Sequence, residues 1–248
     1  RPFKGDPALF NGSPWVGGLP FEWNFDYSAA GFERSFLDST MRLGLNRIDL
    51  LVIHDLDRSY HGKSVSNKLQ ELETGMEWLK MMKNSAAIRA FGAGINDIEM
   101  IPLFLEHFEL DFFLVAMPYT LLNQEPLEDI FPECERRGIG IIIGSPYASG
   151  ILASGSKEES KYGYVAASEE MRKKVQSIEV ICEAHGIPLK AAALQFPLAH
   201  PQVSSVIPGA LRAAQVNENL EMLKIHIPLE FWVELKQTGL LHPEAPVA

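Results

Sequence analysis

Cysteine is scarce in this chain, with two residues in 248, Cys134 and Cys182, both in segments of helical pattern. Two such residues support neither a disulfide framework nor a cysteine-built metal site, and they fit a reducing cytoplasm. Positive charge is also short, 22 Lys and Arg against 32 Asp and Glu, for a net charge of −10. That balance argues against nucleic acid and against an anionic membrane surface, both of which call for basic patches. A small soluble ligand is the expectation that remains. Long apolar runs are missing as well: nothing approaches the ~20 residues of a bilayer span, and the first residues lack the apolar core of a signal peptide. The chain opens on Arg1 in place of a methionine, and we expect sequence upstream of it. No low-complexity stretch or linker divides residues 1–248, so one domain with a sizeable core is expected.

What is present is a regular alternation of short apolar runs and helical periods. The run at 48–53 (IDLLVI), within LGLNRIDLLVIHDLD, predicts a strand buried on both faces, as parallel sheets require. It ends on His54, at the carboxyl end where α/β barrels place their chemistry. Further strands are predicted at 88–93, 111–117, 139–143 and 203–207. Helices are predicted at 29–43, with Ser28 as N-cap and Phe32, Phe36, Leu37 and Met41 on one face, then at 65–83, 98–108, 127–137, 169–185, 189–199, 213–223 and 229–238. Five strands with helices between them imply a parallel sheet, either open and doubly wound or most of a (β/α)8 barrel. A dinucleotide fingerprint of the doubly wound kind is absent, because Gly92-Ala93-Gly94 is followed by Asp97 where a third glycine belongs. Ahead of the first helix, residues 1–27 are rich in Gly, Pro and aromatic rings without periodicity. A long loop of this kind serves a ligand wall or a packing anchor equally well.

Four segments, LGLNRIDLLVIHDLD, GAGIN, GIGIIIGSPYASGIL and VIPGALRAAQVNENL, resemble in order and spacing the aldo-keto reductase superfamily. FEWNFDYS, LQFPLAHP and GLLHPEAPV resemble its branch of aldose and L-fucose dehydrogenases with pyridoxal 4-dehydrogenase-like members. The resemblance implies an α/β fold, a (β/α)8 TIM barrel of which about five of eight strands are present here, N-terminally incomplete. It also implies hydride transfer between NAD or NADP and a carbonyl or alcohol carbon. Of the four residues the family sets around that carbon, an Asp, a Tyr, a Lys and a His, only the His has a match, His54, which orients the substrate oxygen. On this reading residues 1–248 alone are expected to be inactive. Tyr60, Tyr119 and Tyr147 stand in or near strand-end loops, but their spacing does not reproduce the missing set.

For the cofactor, the resemblance assigns Gly94, where the family usually has Ser, and Asn96 to the carboxamide. The family's Gln on the next strand aligns near Ala116. Ser145, Pro146, Tyr147, Ser149 and Gly150 resemble the loop over the pyrophosphate, and Pro208, Gly209, Ala210, Gln215, Glu218 and Asn219 the adenosine half. NAD is expected over NADP, because Gly209 and Gln215 are uncharged where NADP-selective members carry basic residues; Arg212 is a nearby cation. Trp15, Trp23, Asp55 and Tyr60 are expected to wall a pocket for a small sugar or polyol. No metal is expected, since His54 and Asp55 would point to opposite faces of a continuing strand. Two other readings stand beside the dehydrogenase. One is a non-catalytic subunit keeping the barrel and cofactor site, and the other a metal- or phosphate-dependent barrel lyase.

Overall fold

The computed structural model describes residues 3–12, 19–163 and 165–247. In chain order the elements are α1 (Ala29–Leu43), β1 (Leu50–His54), α2 (Arg58–His61), α3 (Val65–Asn84), β2 (Ala90–Ile95), α4 (Met100–His107), β3 (Phe112–Ala116), α5 (Ile130–Arg136), β4 (Gly140–Gly144), α6 (Ile151–Ser154), β5 (Lys161–Tyr162), β6 (Val165–Ala166), α7 (Glu169–His185), α8 (Leu189–Gln195), β7 (Val203–Ile207), α9 (Ala213–Met222) and α10 (Leu229–Gln237). One five-stranded sheet has the order β1-β2-β3-β4-β7, every pairing parallel, and it is not closed into a barrel by the described residues. A register shift between Ile141 and Ile142 bends β7 against β4.

The main core lies between the sheet and its helices. Ile53, Phe91, Ala93, Ile95, Phe113, Val115, Ile141 and Ile143 are buried there against the apolar stripes of the helical layer, including Leu72, Met76 and Leu79 of α3. This is the driving term of the fold, about 1.5–3 kcal/mol for each large side chain fully buried. α1 starts where predicted, with Ser28 Oγ accepting from Gly31 N, and ends on Gly44 in the left-handed region.

Several expectations need correction. β1 is buried on one face only: Leu50 and Val52 remain 47% and 36% exposed. An apolar run states what a strand can bury, and among the described residues nothing covers that side of β1. On α1, Phe32 and Phe36 pack on the core while Leu37 and Met41 stay exposed. The helix expected at 127–137 splits into a 3-10 turn, Glu125–Leu127, and α5, and the one at 189–199 tightens into a 3-10 turn, Phe196–Ala199. Pro197 at the second break has no N–H to continue an α-helical ladder. The strand expected at 88–93 lies two residues later, and the antiparallel pair β5–β6 was not expected at all.

Candidate active site

The side chains of interest stand along the carboxyl ends of the parallel strands. β1 delivers His54 opposite Gly94 of β2. A Cβ at Gly94 would stand 3.0 Å from Val52 Cγ1 and 3.4 Å from His54 Cδ2, so the missing side chain lets the imidazole lie close over β2.

His54 is held from two sides. Its carbonyl oxygen accepts from the Tyr27 hydroxyl at 3.1 Å, and that hydroxyl is 3.0 Å from His61 Nε2. A carbonyl only accepts, so in the contact with His54 the Tyr27 hydroxyl is the donor. Tyr27 is 4% exposed, and burial, with the Asp55 and Asp57 charges adding, pushes its phenol well above the ordinary tyrosine range. It keeps its proton and serves as a fixed donor. On the other side, Asp55 leaves the strand with φ +56°, and its Oδ2 lies 3.1 Å from His54 Nδ1. The imidazole pKa is raised, chiefly by that hydrogen bond, against the opposing effect of burial. Asp57, 1% exposed, caps α2 by accepting from Ser59 N, Ser59 Oγ and Tyr60 N through Oδ1.

The Asp55 contact overturns one expectation. His54 and Asp55 do not point apart, because the extended conformation ends at His54 and the left-handed residue turns the carboxylate back onto the ring. That removes the geometric ground for excluding a metal at this pair. Two ligands do not make a site, and among the described residues no three of His, Cys, Asp and Glu gather as a metal site would need.

His54, Asp55, Trp23 and Tyr27 share a cleft of about 840 Å³ with Arg34 and Asp38 of α1. Tyr60 lies elsewhere, in a cleft of about 620 Å³ with Asn96, Met117 and Tyr162. Of the four expected wall residues, Trp23 and Asp55 thus stand with the histidine, Tyr60 faces the Asn96 side, and Trp15 lies outside the described residues.

Further along the rim, β4 runs into a turn in which Ser145, Ala148, Ser149 and Gly150 all have positive φ, of 51°, 49°, 58° and 100°. The turn closes on itself, Ala148 N donating to Ser145 O and Gly150 N and Leu152 N to Tyr147 O. Tyr147, buried, donates from its hydroxyl to Asn219 Oδ1 at 2.7 Å, tying this turn to α9, and burial raises its pKa to about 12. Glu218 is paired with Lys190 at 2.5 Å. Gln215 Oε1 accepts from Leu211 N and Arg212 N, which fixes the loop ahead of α9. Pro208, Gly209 and Ala210 lead from β7 to that loop, and neither Gly150 nor Gly209 has a heavy atom within 4 Å of where a Cβ would stand. Small residues and serine hydroxyls at 145–150, Gly209 and the cation Arg212 are the groups here that a dinucleotide's phosphates would meet. The residues present fit such a cofactor.

His61 and Met117 were not expected at the site, and Tyr27 was expected only as part of the aromatic loop. Met117 follows β3 with φ +83° and lies 3.7 Å by its sulfur from Ser149 Oγ. Asp55, Met117 and Ser145 place unusual left-handed residues at the ends of β1, β3 and β4, the clustering of backbone strain that functional rims show. Only Asp55 had a cue in its type, since Asp tolerates this region better than most residues.

A parallel α/β sheet with a held histidine on its carboxyl rim is the arrangement of a barrel-type α/β protein. The chain belongs to the aldo/keto reductase family, whose profile matches residues 16–239. It is 37% identical over 231 residues to a pyridoxal 4-dehydrogenase of Microbacterium luteolum, covering 92% of this chain and 68% of that protein. It is 34% identical over 221 residues to a D-threo-aldose 1-dehydrogenase of a Pseudomonas species, covering 89% and 64%. The chain therefore spans about two thirds of the length of these relatives. In fold it is similar to the holo form of an aldo-keto reductase from Bacillus halodurans, with a TM-score of 0.66 at 23% identity over 92% of this chain and 72% of that one.

Proposed function

We propose that the protein transfers a hydride between a nicotinamide cofactor, NAD in preference to NADP, and the carbonyl or alcohol carbon of a small aldose or related hydroxylated compound. The observation that carries this reading is the double hold on His54, Tyr27 on its carbonyl and Asp55 on its Nδ1, beside Gly94 and above an open cleft. A ring restrained in this way is suited to orienting a substrate oxygen, and orientation alone supplies a large share of many rate enhancements. Trp23 and the polar groups of the cleft offer a face for C–H surfaces and partners for hydroxyls. The relatives named for pyridoxal and for D-threo-aldoses both suggest substrates of that hydroxylated kind.

The turn at 145–150, Gly94 and Asn96, and the segment from Pro208 to Asn219 would hold the cofactor, which supplies or takes up the hydride when bound. Preference for NAD rests on Gly209 and Gln215, uncharged where a 2′-phosphate would need cations, with the Gln215 carbonyl already engaged by two backbone N–H groups. Tyr27, Tyr119 and Tyr147 have phenols pushed up by burial, so none of them is suited to proton transfer near neutral pH. Both cysteines are free and buried, in keeping with a cytoplasmic location. Among the described residues no helix is long and apolar enough to cross a membrane.

Titration of the protein with NAD and NADP by fluorescence should show both binding, NAD the tighter by less than about tenfold, or ~1.4 kcal/mol, because Arg212 stands near. Failure to bind either nucleotide at millimolar concentration would sink the proposal. In the complete protein, His54→Ala should leave nucleotide affinity unchanged and lower turnover with aldoses by on the order of 10².

A further inference from the structure

We propose that Asp55 is the positioning residue for His54: its carboxylate, turned back by a left-handed backbone, holds the Nδ1 proton and so fixes which imidazole nitrogen meets the reacting oxygen. The inference rests on the reading that His54 orients that oxygen.

Asp55 Oδ2 stands 3.1 Å from Nδ1, and a carboxylate only accepts, so this pairing favours a proton on Nδ1 in the neutral ring as in the imidazolium. Neutral His54 then has a bare Nε2, which accepts from an alcohol hydroxyl. The imidazolium keeps the Nδ1 bond and adds an Nε2–H, which donates to a carbonyl oxygen. Asp55 thereby couples the protonation of one ring to the form of substrate it can hold, carbonyl below its midpoint and alcohol above it. The backbone shows that the contact is built in. At φ +56° Asp55 occupies a region most side chains avoid, and its carboxylate is only 19% exposed while the imidazole it grips is 72% exposed. Tyr27 on the His54 carbonyl holds the same residue from below, so ring and backbone are both restrained.

Other charged groups face this ring. Asp57 follows on the same loop; Glu22 and Asp26 precede α1, and Arg34, Asp38 and Arg42 stand on α1, all five lining the same cleft. Asp26 and Arg34 pair at 3.0 Å. β2 presents only Gly94. All of these remain when Asp55 alone is replaced, so a change in the His54 titration reports the Asp55 carboxylate.

The test is ¹⁵N NMR of the histidine rings in the 248-residue chain, with His54 assigned from His54→Gln. In the parent the neutral ring should be protonated at Nδ1. Asp55→Asn, which tolerates the left-handed backbone, should move the titration midpoint down toward the ordinary value of about 6.5. Asp55→Gly, which fits that backbone and has no side chain, should in addition free the neutral ring to place its proton on Nε2. A parent midpoint retained in both variants, or a neutral parent ring protonated at Nε2, overturns the proposal. In turnover assays of the complete protein, kcat/KM for carbonyl reduction should fall as pH rises through the parent midpoint, and that fall should move with the midpoint in Asp55→Asn. In the complete protein, the expected ring titrations without turnover of any aldose would leave the Asp55 assignment standing and defeat the assignment of the reaction.

Discussion

At the residue scale, two histidines pull the pH dependence of stability in opposite directions. His54 has a folded pKa above its unfolded one, chiefly through Asp55. Its contribution is therefore complete below about pH 6.5 and fades as pH rises through the folded value. His200 is the reverse case. Burial lowers its pKa, its Nδ1 accepts from Gln202 N, and its ring meets those of Tyr119 and Phe131 edge-on. Its contribution is present above about pH 6.5 and is lost as pH falls through the folded value. Urea midpoints measured across that range should show the high-pH decline flattened in Asp55→Asn and the low-pH decline flattened in His200→Gln. The same slope in both variants as in the parent would mean that neither ring governs this window.

At the element scale, the loop that delivers Tyr27 is fastened to α3. Tyr27 N donates to Glu71 Oε1 at 2.8 Å, and Lys68 bridges Glu71 and the Phe25 carbonyl. The close approach is possible because position 75 has no side chain: a Cβ there would stand 2.2 Å from the Tyr27 carbonyl oxygen and 2.7 Å from the Phe32 ring. The ring could turn aside, but the carbonyl could not. Gly75→Ala should therefore cost about 1–3 kcal/mol, the range for overpacking, despite alanine's better helix propensity. It should also weaken the hold on His54. Chemical denaturation checks the cost, and a stability equal to or above the parent's would show that the loop is not pinned there. Much at this scale was legible in the sequence. Runs such as IGIII and VSSVI, bounded by glycine and proline, mark strands by composition alone, and α1 and α7 have N-caps and stop signals that set their limits. The β5–β6 pair was illegible because two-residue strands show no period. The single-faced burial of β1 was illegible because composition reports an appetite for burial and says nothing of a neighbour. His54 could be found by its place after an apolar run and its register in the family pattern. Its partners could not: Asp55 reaches it through one dihedral and Tyr27 through a fold-back of 27 residues along the chain, and neither leaves a periodic trace.

At the scale of the whole molecule, the sheet and the charge oppose one another. Among the described residues β1 and β7 are open edges, and Leu50, Val52 and Ile207 are exposed on them. Leu37, Met41, Leu43 and Leu45 extend the exposed apolar surface from α1 into the loop ahead of β1. Unpaired parallel edges beside such a surface favour association. A net charge of −10 resists it by mutual repulsion, which salt screens over a Debye length of about 8 Å at physiological ionic strength. A polypeptide of residues 1–248 should thus associate more strongly as its concentration rises, and more strongly in ~0.5 M than in ~0.02 M salt, since screening removes the repulsion and leaves the apolar term. Sedimentation velocity at two concentrations and both salt levels reads this directly. Replacing Leu50 and Val52 with lysine, which blunts an edge and breaks the apolar face, should return the protein toward monomer at high salt. A parent that sediments as a monomer under all four conditions would show that these side chains are covered in solution and that β1 is not an edge.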